Sequence, residues 1–165
     1  MGATKVEGFL ARADVALLAS LEGYRIFAGS PSYDNCAVLM GRPPLSEIIE
    51  RYCGLVEETS GLRLKSRYAH LRHYTRGGTF GLHQDNGGPT VSVSVTIAYP
   101  GGVDPWPLEV DGEMYALAPG SAVVFDSLLV HGRRKSLRYD WHRQLILHYA
   151  RNAPGGLEAP SGTAP

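Results

Sequence analysis

The sequence predicts a mainly β fold, a double-stranded β-helix or jelly roll, with N-terminal helices packed on one of its sheets. Three observations predict it. The apolar spacing is helical before Gly61 and alternating after it. About eight short alternating segments then follow one another up to residue 150. Twenty glycines and eleven prolines supply the many turns that short strands need.

The helical part comes first. Residues 9–22 set Leu10, Ala13, Leu17 and Leu21 on one stripe. Residues 24–28 and 36–40 are candidate strands. In the next segment Leu45, Ile48, Ile49, Tyr52, Cys53 and Val56 recur at three- and four-residue steps, with Pro43 and Pro44 before them and Gly61 as the stop. Beyond it, residues 62–74 and 79–85 suit strands. Residues 90–99 alternate cleanly, Val91, Val93, Val95 and Ile97 on one face, Ser92, Ser94, Thr96 and Ala98 on the other. Residues 108–110 and 113–117 flank Asp111-Gly112, a tight-hairpin signal. Pro119-Gly120 turns the chain into 121–125, and 128–131 and 143–150 complete the set.

The expected organisation is one domain over 1–152, with helical support over about 8–60 and a jelly-roll core over about 62–150. Residues 153–165 are Ala, Pro, Gly, Ser and Thr with little to bury, and are expected to be a disordered tail. Sixteen basic residues balance sixteen acidic ones, which argues against nucleic acid or an anionic membrane as partner. No apolar run spans a bilayer and the start lacks a signal-peptide core, so a cytoplasmic protein, monomer or homodimer, is expected. Cys36 and Cys53 suit two reduced thiols there.

The chemistry-bearing motif is His83-Gln84-Asp85, near the end of a predicted strand. Residues two apart on a strand point the same way, so the imidazole and the carboxylate can share one ion. They make two corners of the two-histidine, one-carboxylate triad of non-haem iron sites. His131 is the best third corner, since it ends a predicted strand after the Pro119-Gly120 turn. Three protein ligands leave three octahedral positions open. A lone histidine in a strand is more often packed than ligating, so the surrounding motifs carry weight.

Three motifs occur in order: Tyr74, Gly77-Gly78 and His83-Gln84-Asp85; residues 117–125, Leu-Ala-Pro-Gly-Ser-Ala-Val-Val-Phe; and His131-Gly132 with Arg143. On these the chain resembles the Fe(II)/2-oxoglutarate dioxygenase superfamily, especially its prolyl-hydroxylase-like and phytanoyl-CoA-hydroxylase-like branches, over residues 62–150. The resemblance implies His83, Asp85 and His131 as both metal ligands and catalytic residues, Fe(II) and 2-oxoglutarate as cofactors, O2 as co-substrate and ascorbate as a possible stimulant. It implies hydroxylation of an unactivated C–H bond with release of succinate and CO2. A carboxylate at Asp85 favours this over halogenation.

The resemblance also asks for a basic residue nine to twelve positions after the distal histidine to grip the far carboxylate of the oxo acid. Arg143 lies twelve after His131, and Leu145, Leu147 and Tyr149 are read as continuing its inward face; Arg138 is the competitor, seven after. Tyr74 matches a family position that touches the oxo acid, and Thr96 could add a second hydrogen bond. His70 and Arg72 share strand parity with Tyr74 and are candidates to meet substrate. Trp106, between Pro105 and Pro107, could cover a substrate or plug the core. Loops 86–89 and 100–107 are expected to form the mouth, with Arg133, Arg134, Lys135 and Arg138 as a basic cluster beside it. The compact frame favours a free amino acid or small metabolite. A prolyl or other side chain in a protein is the alternative, and a non-catalytic metal- or sugar-binding jelly roll the alternative of another class.

Overall fold

The structure is a computed structural model that describes residues 1–26, 35–85 and 88–152. Its elements run β1 (Ala3–Val6), α1 (Arg12–Ser20), β2 (Arg25–Ile26), β3 (Cys36–Met40), α2 (Pro43–Arg51), α3 (Cys53–Ser60), β4 (Leu64–Thr75), β5 (Phe80–His83), β6 (Val91–Ala98), β7 (Leu108–Val110), β8 (Glu113–Tyr115), β9 (Ala122–Asp126), β10 (His131–Arg133) and β11 (Trp141–Arg151). They form two antiparallel sheets, ordered β1-β9-β6-β11-β4-β3-β2 and β5-β10-β7-β8. Strands β4 to β11 pass between the sheets as a jelly roll. No helix among the described residues is long and apolar enough to cross a membrane.

The central strands of the seven-stranded sheet, β6, β9 and β11, are buried on both faces, which explains their sequence pattern. One face carries Val91, Val93, Val95, Ile97, Leu71, Leu145, Leu147 and Tyr149, packed with Leu18, Leu45, Ile48, Ile49 and Val56 of the helices. The other face looks across to the four-stranded sheet, where Tyr74, Phe80, Trp106, Leu108, Val110, Val123 and Phe125 share a second core. Polar residues line this second space. Ser92, Ser94 and Thr96 of β6 are all buried, as are His142, Gln144 and His148 of β11. Cross-strand register puts them in rows: Tyr68 beside His148 and Ser92, His70 beside Ile146 and Ser94, Arg72 beside Gln144 and Thr96.

Several boundaries differ from the sequence expectation. β1 was not anticipated; its four residues pair along β9 and widen the large sheet. The single helix expected over 45–56 is two, broken at Tyr52 (φ −93°, ψ 1°). That break lets the Tyr52 hydroxyl donate to Asp14 of α1 at 2.6 Å while accepting from the Ala11 N–H at 2.9 Å. The strand expected over 128–131 begins at His131 instead. The residues before it form a turn, in which Leu129 N–H bonds Asp126 O. Loop residues 86 and 87, strand residues 27 and 28 and the expected tail 153–165 lie outside the described residues.

Candidate metal centre

Two neighbouring strands of the small sheet carry the imidazoles. His83 closes β5 and His131 opens β10, and the two are direct cross-strand partners. The close approach that makes this possible runs over Gly132, at φ +153°. A Cβ there would lie 2.5 Å from the carbonyl oxygen of Gly81 and 2.7 Å from that of Phe80. Asp85 lies just past the end of β5 rather than on it. Its backbone N–H bonds Ser127 O at 2.9 Å, which turns the carboxylate back over the two rings.

Three donor atoms converge there. His83 Nε2 lies 3.6 Å from Asp85 Oδ1, and His131 Nε2 lies 3.7 Å from Oδ2. Each ring is held by its other nitrogen. His83 Nδ1 lies 2.8 Å from Gly81 O and His131 Nδ1 2.9 Å from Leu129 O. A carbonyl can only accept, so each Nδ1 carries the proton and each Nε2 presents a lone pair to the common point. Separations of 3.6–3.7 Å are too long for hydrogen bonds and suit donors around a shared cation, whose neighbouring ligands lie roughly 3 Å apart. The donor set fits a divalent transition metal with open positions, and the three ligand atoms all lie within 4.8 Å of one another. Phe80 and Phe125 wall the rings, 5.0 Å from His83 and 4.7 Å from His131.

The protonation states also suit a metal. Burial works against the Asp85 charge, but the close His83 ring, the hydrogen bond from Ser92 and the neighbouring His131 and His148 outweigh it and hold the carboxyl well below its usual range. Burial lowers His131, keeping it neutral at neutral pH. Metal ligands need these forms.

Sequence reasoning missed the layer behind Asp85. Ser92 Oγ donates to Asp85 Oδ2 at 2.6 Å, and also contacts Ser127 Oγ at 2.9 Å and His148 Nδ1 at 3.0 Å. A hydroxyl has one proton, so if it goes to Asp85, Ser127 and His148 must donate to Ser92. Burial pushes His148 down to about 4. The polar face of residues 90–99 was legible; its convergence with residues 127 and 148 was not.

Arg143 is a correction. It shares parity with Leu145, Leu147 and Tyr149, and that face packs on the helices, not into the barrel. Its guanidinium donates to the carbonyl of Ala19 and to His73 Nδ1 at 3.3 Å, and lies 5.4 Å from the Tyr24 ring. The expectation took the only apolar run on the strand for the inward one; a sheet covered on both sides has two such faces. Arg138 is exposed, and its carbonyl accepts from Arg76 at 2.8 Å.

The barrel interior has two other guanidinium groups. Arg72 is buried, donates to the Tyr74 hydroxyl at 3.2 Å and lies 5.0 Å from the Phe80 ring. Its charge adds to burial in lowering His70, His131 and His148, so it stands near the metal centre. Thr96 and Gln144 share its row. Arg133 lies deeper, bonded to Trp106 O and to Gln144 Oε1 at 3.0 Å, and burial lowers it to about 10. His70 is buried beside Arg72, and its Nε2 has no hydrogen-bond partner among the described residues. Of the two places expected of Trp106, the structure shows the core: it is buried in the second core at the far end of the small sheet, ahead of β7, where it faces Arg133. The mouth expected of loop 100–107 is therefore not beside the metal ligands.

The chain matches no protein-family model and no curated protein sequence. Its fold has many solved relatives. The viral collagen prolyl hydroxylase of Paramecium Bursaria Chlorella virus-1, in a 2-oxoglutarate complex, aligns with a TM-score of 0.70 at 12% identity, over 92% of this chain and 97% of that one. HygX from Streptomyces hygroscopicus, with nickel, 2-oxoglutarate and hygromycin B bound, gives 0.69 at 13% identity over 92% and 83%. SnoN, a non-haem α-ketoglutarate-dependent epimerase from nogalamycin biosynthesis, gives 0.72 at 15% identity over 99% and 85%. At these identities the likeness is one of fold, and the fold is that of 2-oxoglutarate oxygenases.

Proposed function

We propose that this protein is an Fe(II)- and 2-oxoglutarate-dependent oxygenase that hydroxylates an unactivated C–H bond of a free amino acid or another small metabolite. One observation carries the reading: both imidazoles are fixed through Nδ1 so that their Nε2 atoms face the Asp85 carboxylate, 3.6 and 3.7 Å away. In this reading His83, Asp85 and His131 hold the ion. With 2-oxoglutarate and dioxygen bound, that ion supplies the oxidant, and succinate and CO2 leave.

The remaining roles belong to the chain's own side chains. Arg72 takes the far carboxylate of the oxo acid in place of Arg143, with the Tyr74 hydroxyl and Thr96 beside it. Its support is burial, an inward face and nearness to His131. The fork geometry of arginine suits a carboxylate held in a dry barrel. Ser92 orients Asp85. Tyr68, 41% exposed on the row that also holds His148, and His70 behind it border the way in and would meet substrate. The small-molecule reading draws on the compact frame and on the hygromycin B held by HygX. A peptidyl substrate is the rival, drawn from the prolyl hydroxylases that share the fold.

The first test is anaerobic: Fe(II) and 2-oxoglutarate should together give a weak visible charge-transfer band, which a sugar-binding jelly roll would not. Alanine at His83, Asp85 or His131 should abolish the band and succinate release while the circular dichroism is kept; an unchanged band in any of them removes that residue from the ligand set. The second test separates the arginines. Arg72→Ala should weaken 2-oxoglutarate binding by about ten- to a hundredfold, the worth of a charged hydrogen-bonding pair. Arg143→Ala should leave that binding unchanged and lower thermal stability through its lost tie to α1. The opposite order would return the anchor to Arg143. A metabolite screen for succinate, with mass detection of one added oxygen, would name the substrate.

A further inference from the structure

Two features of the sequence have no part in the metal centre: the Pro105-Trp106-Pro107 segment and the basic run from Arg134 to Arg138. The fold brings them together. They line one cavity of about 640 Å³, beyond the start of β7 and the end of β10. His131 pairs with Val110 at the opposite ends of those two strands, so the cavity and the metal centre lie at different ends of the small sheet. We propose that this cavity is a second ligand site, one that takes a small organic acid with an apolar or aromatic body.

The site is built before any ligand arrives. Trp106 is fixed three ways: its backbone N–H donates to the Tyr139 hydroxyl at 3.1 Å, its indole N–H to Lys135 O at 2.7 Å, and its carbonyl accepts from Arg133. These bonds stitch loop 103–107 to loop 134–139, the two walls of the cavity. Rigid prolines and an immobilised indole cost little further entropy on binding. The lining is mostly apolar, from Val103, the two prolines, Trp106, Tyr139 and Met114, which is 52% exposed. The volume falls within the range of small-molecule sites rather than of protein interfaces.

Charge chooses the ligand's polar end. Arg134 is neutralised by a two-point pair with Glu109, one bond being 2.6 Å. Lys135 and Arg138 are exposed, and neither is ion-paired among the described residues; the lining's own acid is Asp104. Two free cations against one carboxylate leave the rim positive beside an apolar floor. An aromatic or short-chain monocarboxylate meets both at once: the body lies on the prolines and Met114 against the edge of the buried Trp106, and the anion reaches Lys135 and Arg138.

The probe is 4-phenylbutyrate, followed by nitrogen–proton NMR of the full chain. The two tryptophans give separate indole signals, and Trp141, stacked on His73 on the other side of the large sheet, is the internal control. The expected result is a saturable shift of the Trp106 indole signal with Trp141 unmoved. Binding should be severalfold weaker for neutral 4-phenylbutyramide and about tenfold weaker in the double variant Lys135→Glu, Arg138→Glu, whose exposed positions leave the fold intact. It should persist when the metal centre is filled with zinc and a non-reactive oxo-acid analogue. No saturable shift, equal binding of the amide, or full affinity in the double variant would overturn the proposal. So would loss of binding on filling the metal centre, which would mean the probe had been reading that site. Apart from the filling of the metal centre, none of these outcomes depends on the oxygenase assignment.

Discussion

Ser92 illustrates how much a single hydroxyl can decide at this centre. It is fully buried, and its one proton goes to a carboxylate that must stay ionised and aimed. Ser92→Ala should therefore lower Fe(II) or Co(II) affinity by about ten- to a hundredfold, the usual weight of a group that orients a metal ligand. A calorimetric titration would measure it, and an unchanged affinity would show that Asp85 holds its position unaided. The ligands themselves were legible from one sequence because spacing and motif order point to them. Ser92 was legible only as a member of a polar face. Its partners Ser127 and His148 are 35 and 56 positions away, and no local pattern encodes that meeting. Arg72 was legible as inward-facing by its parity with Tyr74, but not as a cation close to the ligands.

At the scale of the element, strand parity was sound and the identity of the faces was not. On β6 the alternation of valine and serine divides helix-side from barrel-side correctly. On β11 both faces are buried, so Leu145, Leu147 and Tyr149 say only that a core lies on their side. The opposite side holds His142, Gln144, Ile146 and His148, a mixed set that no hydropathy rule marks as the interior of a site. β10 depends on another local constraint. A side chain at Gly132 would strike two carbonyls of β5, at a φ that also favours glycine. Gly132→Ala should spread the His83 and His131 strands, with a melting temperature several degrees lower and metal binding impaired together. A variant that melts normally and binds metal normally would show that the two strands tolerate a wider spacing.

Across the whole molecule, buried imidazoles tie stability to acidity. His70, His142 and His148 are all lowered, burial being the largest cause in each, with His148 at about 4. Above about pH 6.5 neither the folded nor the unfolded chain protonates them. Between about 6.5 and 4 the unfolded chain takes up protons that the folded chain refuses, so stability falls as pH falls through that window. His148 alone contributes on the order of 3 kcal/mol by the lower limit of it. Urea midpoints of metal-free protein should drop steadily from pH 7 to 4.5, and His148→Gln should flatten the slope. A midpoint independent of pH would mean that these rings titrate normally.

The pairing of β1 with β9 has a practical consequence. β9 contributes Val123, Val124 and Phe125 to both cores, and β1 covers its outer edge from Ala122 to Phe125. Expressing a version trimmed past Val6 would uncover a row of unpaired amides and carbonyls on an apolar strand, a ready template for stacking one molecule onto the next. Shortened forms should therefore precipitate during purification even where their metal ligands are untouched, and fusion partners are better attached elsewhere.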